Sequence, residues 1–249
     1  MQKFGLIGFP LSHSFSKKYF TEKFLRESIL DVSYELFPIE NIDILPDLLH
    51  SEPLLRGLNV TIPYKQQVMP FLDELSPVVK EINACNCIKI ENGKLIGYNT
   101  DVIGFEISLK KKLKPHHKKA LILGTGGAAK AVEFVLRKNG IDYLQVSRNK
   151  SDDAISYNEL DNEILSSHHL IINTTPLGMF PEIDKAPPIS YTEIGASHYL
   201  FDLVYNPSET LFLKQGKLLG AATENGADML IDQAEASWDI WNAKSSERI

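Results

Sequence analysis

The sequence predicts an α/β fold in two parts: an N-terminal α/β part with a mixed sheet, then a part built on a parallel sheet. Three observations carry this. Asn92-Gly93 sits between two apolar runs, a strong signal for an antiparallel hairpin in the first part. Beyond residue 119, short apolar runs alternate with a helical stretch, the pattern that implies parallel strands. Between them lies a shift in composition: Lys110–Lys119 holds six lysines, two histidines, one Pro and one Leu. This segment reads as a solvated helix end and linker rather than as a phosphate patch. The parts are placed at 1–101 and 102–226, with the terminal helix over 227–249 expected to pack back onto the first.

In chain order, Lys3–Phe9 reads as a short buried strand, followed by a loop with Pro10, Ser12, Ser14 and Ser16. Lys17–Leu30 has apolar residues at 20, 24, 25 and 29, a helical stripe. Val32–Ile39 and Leu58–Ile62 read as strands, the second ending at Pro63. Ala84–Ile90 and Leu95–Tyr98 form the hairpin around Asn92-Gly93. In the second part Ala120–Leu123 is a buried strand, Ala128–Lys138 a helix that stops at Asn139-Gly140, and Tyr143–Val146 and Leu170–Asn173 are further strands. There is no internal repeat. Trp238 and Trp241, three apart on the terminal helix, read as core cover.

The chain has 249 residues, 43% hydrophobic and 23% charged, ordinary values for a globular protein. A net charge of −6 gives no general attraction to nucleic acid or to an anionic membrane, so neither is expected as a partner. No apolar run approaches the roughly 18 residues of a membrane span, and the apolar start from Phe4 to Pro10 is too short for a signal peptide. The two cysteines, Cys85 and Cys87, would point the same way along a strand and read as reduced thiols, which places the protein in the cytoplasm. A metal site on Cys-x-Cys would need two more ligands that nothing in the sequence supplies, so no metal is expected.

Gly124-x-Gly126-x-x-Ala129 fits the Rossmann-like fingerprint G-x-G-x-x-G/A, with a strand before it and a helix after it. Missing side chains at Gly124, Gly126 and Gly127 let the backbone approach a pyrophosphate at the helix N-terminus, next to Ala128. The end of the following strand carries Ser147-Arg148-Asn149-Lys150. An NAD site places a carboxylate there for the ribose 2′-hydroxyl; a guanidinium suits a 2′-phosphate. The expected cofactor is therefore NADP.

Ser14 and Ser16, two apart in a loop after a strand, would present two hydroxyls on one side of extended backbone, able to donate to a carboxylate; the alternative is a pair of helix-capping serines. Asn59 and Thr61 share one side of a strand, and Lys65 follows at its carboxyl end, where open α/β sheets place ligands. Asn99-Thr100-Asp101 follows the hairpin. A Lys and an Asp facing one ligand would serve a ketone reduction, which creates an alkoxide needing a proton and nearby positive charge. Taken singly, Lys65 reads as a surface lysine and Asp101 as a helix cap, and spacing does not show that they meet.

Together these segments resemble the shikimate dehydrogenase family over essentially the whole chain. The matches are Gly8 through Ser16, Asn59 through Lys65, Asn86, Gly97 through Asp101, Gly124–Ala128, Ser147-Arg148, Asn173 through Met179, Asp202–Pro207, and Gly226 through Met229-Leu230 to Gln233. The resemblance implies two α/β domains with a cleft between them, and NADPH-dependent reduction of 3-dehydroshikimate to shikimate by a monomer or homodimer. It implies that Lys65 and Asp101 are the catalytic pair. Ser14 and Ser16 would bind the substrate carboxylate, with Thr61, Asn86 and Gln233 on its hydroxyls and Tyr205 reaching the cleft. Arg148, beside Ser147, would hold the 2′-phosphate, while Thr174, Pro176, Leu177, Met179 and Gly226 would complete the cofactor site. The alternatives on the same fold are an NAD-preferring quinate/shikimate dehydrogenase and a non-catalytic shikimate-binding regulator; retention of Lys65 and Asp101 counts against the regulator. The chain departs from the family pattern at Lys17 (usually Pro), Phe20-Thr21 (usually His-Asn), Ser147 (commonly Asn), Asn149 (commonly Thr) and Asp228 (usually Gly).

Overall fold

The computed structural model describes residues 2–11 and 14–243; Ser12, His13 and the last residues expected in the terminal helix, 244–249, lie outside them. The chain divides into two compact units, residues 1–100 with 233–249, and residues 101–232.

The first unit is built on a mixed six-stranded sheet in the order β2-β1-β3-β5-β6-β4. Its strands are β1 (Gln2–Gly8), β2 (Val32–Pro38), β3 (Leu55–Val60), β4 (Glu74–Leu75), β5 (Cys87–Glu91) and β6 (Lys94–Tyr98). β1 lies parallel to both β2 and β3, whereas β5 runs antiparallel to β3 and β6. The β5–β6 hairpin turns through Asn92 and Gly93 at φ +53° and +77°, the pair of left-handed residues that such a tight turn requires. Helices α1 (Phe15–Arg26), α2 (Leu45–Ser51), α3 (Tyr64–Gln67) and α4 (Pro77–Ile82) connect these strands. The helix α1 stops at Arg26, short of the sequence expectation, because Ser28 and Asp31 take left-handed φ values of +54° and +58°.

Two cores form in this unit. One gathers Ile7, Leu58, Val60, Val68, Cys85 and Ile88; the other gathers Phe4, Phe20, Phe24, Tyr34, Cys87 and Trp241. The two cysteines, not joined in a disulfide, thus enter different cores and do not point the same way, because β5 begins only at Cys87 and the irregular backbone before it breaks the alternation. The Phe20 departure is absorbed by packing: its ring stacks on Tyr34 with centroids 4.5 Å apart. Lys17, the other departure on α1, pairs with Glu35 at 2.8 Å.

The second unit is built on an all-parallel six-stranded sheet in the order β12-β11-β10-β7-β8-β9. Its strands are β7 (Lys119–Leu123), β8 (Asp142–Ser147), β9 (Ala154–Ser156), β10 (Leu170–Asn173), β11 (Tyr199–Asp202) and β12 (Ala222–Glu224). α5 (Thr100–Lys110) leads in, and α6 (Gly127–Lys138), α7 (Asn162–Ser167) and α8 (Leu211–Leu218) follow. α9 (Ala227–Asn242) runs on into residues of the first unit. The central strands β7, β10 and β11 are almost wholly buried, as a sheet covered on both faces requires.

The lysine-rich segment is the exposed helix end and linker expected, since α5 stops at Lys110 and the lysines that follow are exposed, though several of them are paired. Lys110 pairs with Glu106 at 2.6 Å, Lys111 with Asp228 at 2.8 Å and Lys112 with Glu224 at 2.6 Å. His117 is only 2% exposed. The partners of Lys111 and Lys112 come from segments distant in sequence, which no local composition signals. Among the described residues no helix is long and apolar enough to cross a membrane, and no group of three or more His, Cys, Asp or Glu is placed to hold a metal ion.

Candidate active site

In the first unit the singled-out residues gather where β1 and β3 end, the edge at which open α/β sheets present ligand-binding loops. Ser14 sits at the N-cap of α1 with extended backbone, yet its side chain makes no capping bond. Its Oγ is buried without a hydrogen-bond partner among the described residues. Ser16 lies inside the first turn of α1, so the expected extended-strand alignment of the two serines does not occur; helical backbone separates them instead. Ser16 lies near enough to the Tyr34 hydroxyl to pull that phenol's pKa down, although burial is the larger influence and raises it.

From Tyr34 a buried polar chain runs across the unit. Tyr34 Oη donates to Asn59 Oδ1 at 2.8 Å, and Asn59 Nδ2 donates to Ser237 Oγ at 2.9 Å. Ser237 Oγ and Thr100 Oγ1 are 3.1 Å apart, and Thr100 Oγ1 donates to Gln233 Oε1 at 3.4 Å. Asn86 Oδ1 accepts from Thr100 N–H at 2.6 Å, while Asn86 Nδ2 donates to Thr100 Oγ1 at 3.0 Å. A carboxamide has two N–H groups, and the second Nδ2–H of Asn86 has no partner among the described residues. The network draws Ser16, Asn86 and Gln233 together. It uses two residues not singled out from the sequence, Tyr34 and Ser237; Ser237 lies one helical turn after Gln233, the only local signal for it.

Thr61 follows β3 directly, and its N–H donates to Ile7 O at 3.0 Å. A Cβ on Gly8 would stand 2.4 Å from Thr61 Cγ2, so glycine there makes room for the threonine. Lys65 is half-buried on α3, where its carbonyl accepts from Cys85 N–H at 2.8 Å. Asp101, half-buried, stands in the first turn of α5 in the second unit, a place that suits a carboxylate.

In the second unit the glycine turn leaves β7 and enters α6. Gly124 has φ +114°, and a Cβ there would stand 2.6 Å from Thr174 Oγ1. Cβ atoms on Gly126 and Gly127 would meet nothing within 4 Å, so this end of α6 offers its N–H groups to open space. A cavity of about 420 Å³ opens beside it, lined by Gly124, Thr125, Gly126, Ser147, Arg148, Tyr157, Thr174, Thr175, Pro176, Leu177 and Pro188. Exposed Arg148 follows β8, and Ser147 Oγ donates to the carbonyl of Asn149.

The loop after β10 is held from below. Asn173 Oδ1 accepts from Thr175 N–H at 3.0 Å, and Asn173 Nδ2 donates to Asp202 Oδ1 at 2.9 Å. Thr210 Oγ1 donates to Asp202 Oδ2 at 2.6 Å. Burial raises the Asp202 carboxyl to about 6, against these hydrogen bonds, which pull it down. Met179 and Tyr205 lie more exposed, at 46% and 38%. Gly226 meets a packing demand: a Cβ there would stand 2.2 Å from Leu203 O. Asp228, the departure two residues on, is turned to Lys111.

A parallel sheet with a bare glycine turn at the carboxyl end of β7 and an arginine at the end of β8 defines a dinucleotide-binding class of α/β protein. Residues 6–88 match the family model described as shikimate dehydrogenase substrate binding domain. The shikimate dehydrogenase (NADP(+)) of Clostridium beijerinckii is 39% identical, covering 97% of this chain and 92% of that protein. That of Methanosphaera stadtmanae is 35% identical, with 97% and 91% covered. Among solved structures, shikimate 5-dehydrogenase from Thermus thermophilus in complex with NADP(H) and shikimate superposes with a TM-score of 0.86 at 29% identity, covering 97% of this chain and 94% of that one. The chain belongs to the shikimate dehydrogenase family.

Proposed function

We propose that the protein is an NADP-dependent oxidoreductase that interconverts shikimate and 3-dehydroshikimate. The observation that carries the cofactor choice is Arg148 directly after β8, where an acid would serve a ribose 2′-hydroxyl; Glu133 and Asp153 line the adjoining cavity along β8, but neither takes that position. A guanidinium pairs with a 2′-phosphate, and a carboxylate there would repel it. The bare Gly124 turn and the open N-terminus of α6 fit a pyrophosphate. Thr174, Pro176 and Leu177 would flank the same nucleotide, with Met179 and Gly226 beyond them. The relatives' names supply the substrate.

The first unit would hold shikimate. Ser14 and Ser16 donate to its carboxylate, and the unpartnered Ser14 Oγ supports that role. Thr61, Asn86 and Gln233 meet its hydroxyls, and Tyr205 is the further substrate residue that membership of the family implies. NADPH, when bound, supplies the hydride. Lys65 stabilises the oxygen that becomes an alkoxide and hands it a proton; Asp101 orients Lys65 or takes the proton in the reverse direction. The partners are small molecules, acting on a monomer or homodimer. The two buried cysteines, not joined in a disulfide, are in keeping with a cytoplasmic setting. Shikimate-dependent reduction of NADP by the purified chain, followed by NADPH absorbance, tests the proposal; no turnover with shikimate under either cofactor would overturn it.

A further inference from the structure

α6 connects the parallel strands β7 and β8, so a step toward the N-terminus of α6 is a step toward the carboxyl edge of the sheet. A polar row joins α6 to β8. Tyr143, Gln145 and Ser147 share one side of β8 by strand alternation. Arg137 Nη1 donates to Tyr143 Oη at 3.3 Å, and Glu133 Oε1 accepts from Gln145 Nε2 at 2.6 Å. Lys130 is the next member of the row on α6, one helical turn nearer the edge, and so stands abreast of Ser147 and Arg148. Side chains of a helix lean toward its N-terminus, which carries that of Lys130 further toward the edge. Lys130, Ser147 and Arg148 line one cavity of about 740 Å³. Lys130 is half-buried, and its ammonium makes no hydrogen bond or ion pair among the described residues. Charge is sorted along this cavity. Its two carboxylates lie deeper: Glu133 is level with Gln145, and Asp153 directly precedes Ala154, which pairs with Gln145 across the β8–β9 ladder. Lys150, a third cation of the lining, is taken by Glu159 at 2.5 Å. Lys130 and Arg148 are left at the edge with no carboxylate of the lining at their level.

We propose that Lys130 is a specificity-determining residue for the cofactor, closing on the 2′-phosphate from α6 while Arg148 holds it from the end of β8. The assignment rests on the NADP reading above and adds a residue to it. A 2′-phosphate carries close to two negative charges, and one guanidinium offsets only one of them. Two cations held on the wall of one cavity repel each other until an anion enters, so the pair favours the phosphorylated ribose over the bare one. The two residues divide the work. Arg148 offers a planar fork that seats two phosphate oxygens, whereas Lys130 is a point charge on a flexible four-carbon stem that follows the phosphate once it is seated.

The test is calorimetric titration of the whole chain with adenosine 2′,5′-bisphosphate and with adenosine 5′-monophosphate, for wild type, Lys130→Met, Lys130→Arg, Arg148→Ala and the Lys130→Met/Arg148→Ala double variant. Wild type is expected to bind the bisphosphate more tightly. Lys130→Met keeps the apolar stem and removes the charge; it should weaken the bisphosphate roughly three- to tenfold, less than a bidentate arginine would cost, and leave the monophosphate unchanged. Lys130→Arg should keep the wild-type preference. Arg148→Ala should remove the preference, and adding Lys130→Met to it should change little, because both residues act on one phosphate. If Lys130→Met binds both nucleotides like wild type while Arg148→Ala loses the preference, the lysine is idle and the assignment falls with the NADP reading intact. Equal weakening of both nucleotides by Lys130→Met would move its action to the 5′-phosphate and overturn the assignment as well. If wild type itself does not distinguish the two nucleotides, the NADP reading fails and takes the assignment with it.

Discussion

A Cβ on Gly57 would stand 2.3 Å from Nε1 of Trp241, so the indole of α9 lies directly on the backbone of β3. The same Nε1 donates to Ile88 O at 3.0 Å, and one turn earlier Ser237 accepts from Asn59 at 2.9 Å. The glycine and these two bonds set the register of α9 on the first unit, and with it the position of Gln233. Gly57→Ala should therefore destabilise the protein by about 1–3 kcal/mol, the usual cost of overpacking, and raise KM for shikimate more than KM for NADP. Urea unfolding and paired KM measurements check this; wild-type stability would mean that the indole has room to move.

The features legible in the sequence are those written in local backbone chemistry. Asn92-Gly93 specifies its own turn, and Gly124-x-Gly126 its own. Ser14 and Ser16 were misaligned because the start of α1 is set by tertiary packing of Phe20 and Phe24, not by a side-chain cap. The chain from Tyr34 through Asn59 and Ser237 to Thr100 joins residues up to 178 positions apart, which no window along the sequence spans. Likewise the partners of Lys111 and Lys112 lie on α9 and β12, so the lysine run is exposed as its composition implies while its ion partners come from segments far along the chain.

The two serines are expected to separate by stability. Ser14 Oγ has no internal partner among the described residues, so Ser14→Ala should leave unfolding unchanged and raise KM for shikimate by roughly ten- to a hundredfold, as loss of a hydrogen bond to a charged group implies. Ser16 sits beside the buried Tyr34 hydroxyl, so Ser16→Ala should cost about 0.5–1.5 kcal/mol of stability in addition. Equal behaviour of the two variants in thermal unfolding would contradict this.

Arg148→Ala should abolish the preference for NADP over NAD. The lost charge-assisted contact is worth about 1.5–3 kcal/mol, or roughly ten- to a hundredfold in kcat/KM for NADP, with NAD little affected. Steady-state kinetics with both cofactors decide it; retained discrimination would place the selectivity elsewhere on the β8 edge.

Acid should loosen the second unit through His117. Burial, with a smaller contribution from His116, lowers its pKa from 6.5 to about 4. Its Nδ1 accepts from Lys114 N–H at 3.0 Å, a bond that only the unprotonated nitrogen can make. A depressed base contributes stability that is complete above about 6.5 and is lost as pH falls toward 4, at up to about 1.4 kcal/mol per pH unit. Asp202 acts in the opposite sense: its raised carboxyl contributes below 3.8 and loses that contribution as pH rises through about 6. The two partly cancel in the raw curve. The difference between wild type and His117→Gln isolates the histidine, and wild type should lose its advantage between pH 6.5 and pH 4. A pH-independent difference in urea unfolding would rule the histidine out.

Lys65 and Asp101 are expected to act as one unit on the substrate oxygen that alternates between hydroxyl and ketone. Lys65 stands on α3 immediately after the β3 loop that carries Thr61, so the group that would stabilise the alkoxide shares a backbone segment with one that would hold a neighbouring hydroxyl. Asp101 stands in the first turn of α5 directly after Thr100, the hub of the buried network that includes Asn86 and Gln233. Both proposed catalytic groups are thus anchored next to proposed substrate contacts, which makes their placement sensitive to bound substrate and not to NADP. Positioned acid–base catalysis contributes about 10²–10⁴-fold, so Lys65→Ala and Asp101→Ala should each lose on that order in kcat. KM for NADP should change little. Because a proton donor and the group that orients it fail together, the double variant should lose hardly more than the worse single one. Single-turnover hydride transfer in all three variants separates chemistry from product release. Additive losses would mean two independent roles, and a Lys65→Ala enzyme with near-normal kcat would leave the alkoxide to be stabilised by some other group.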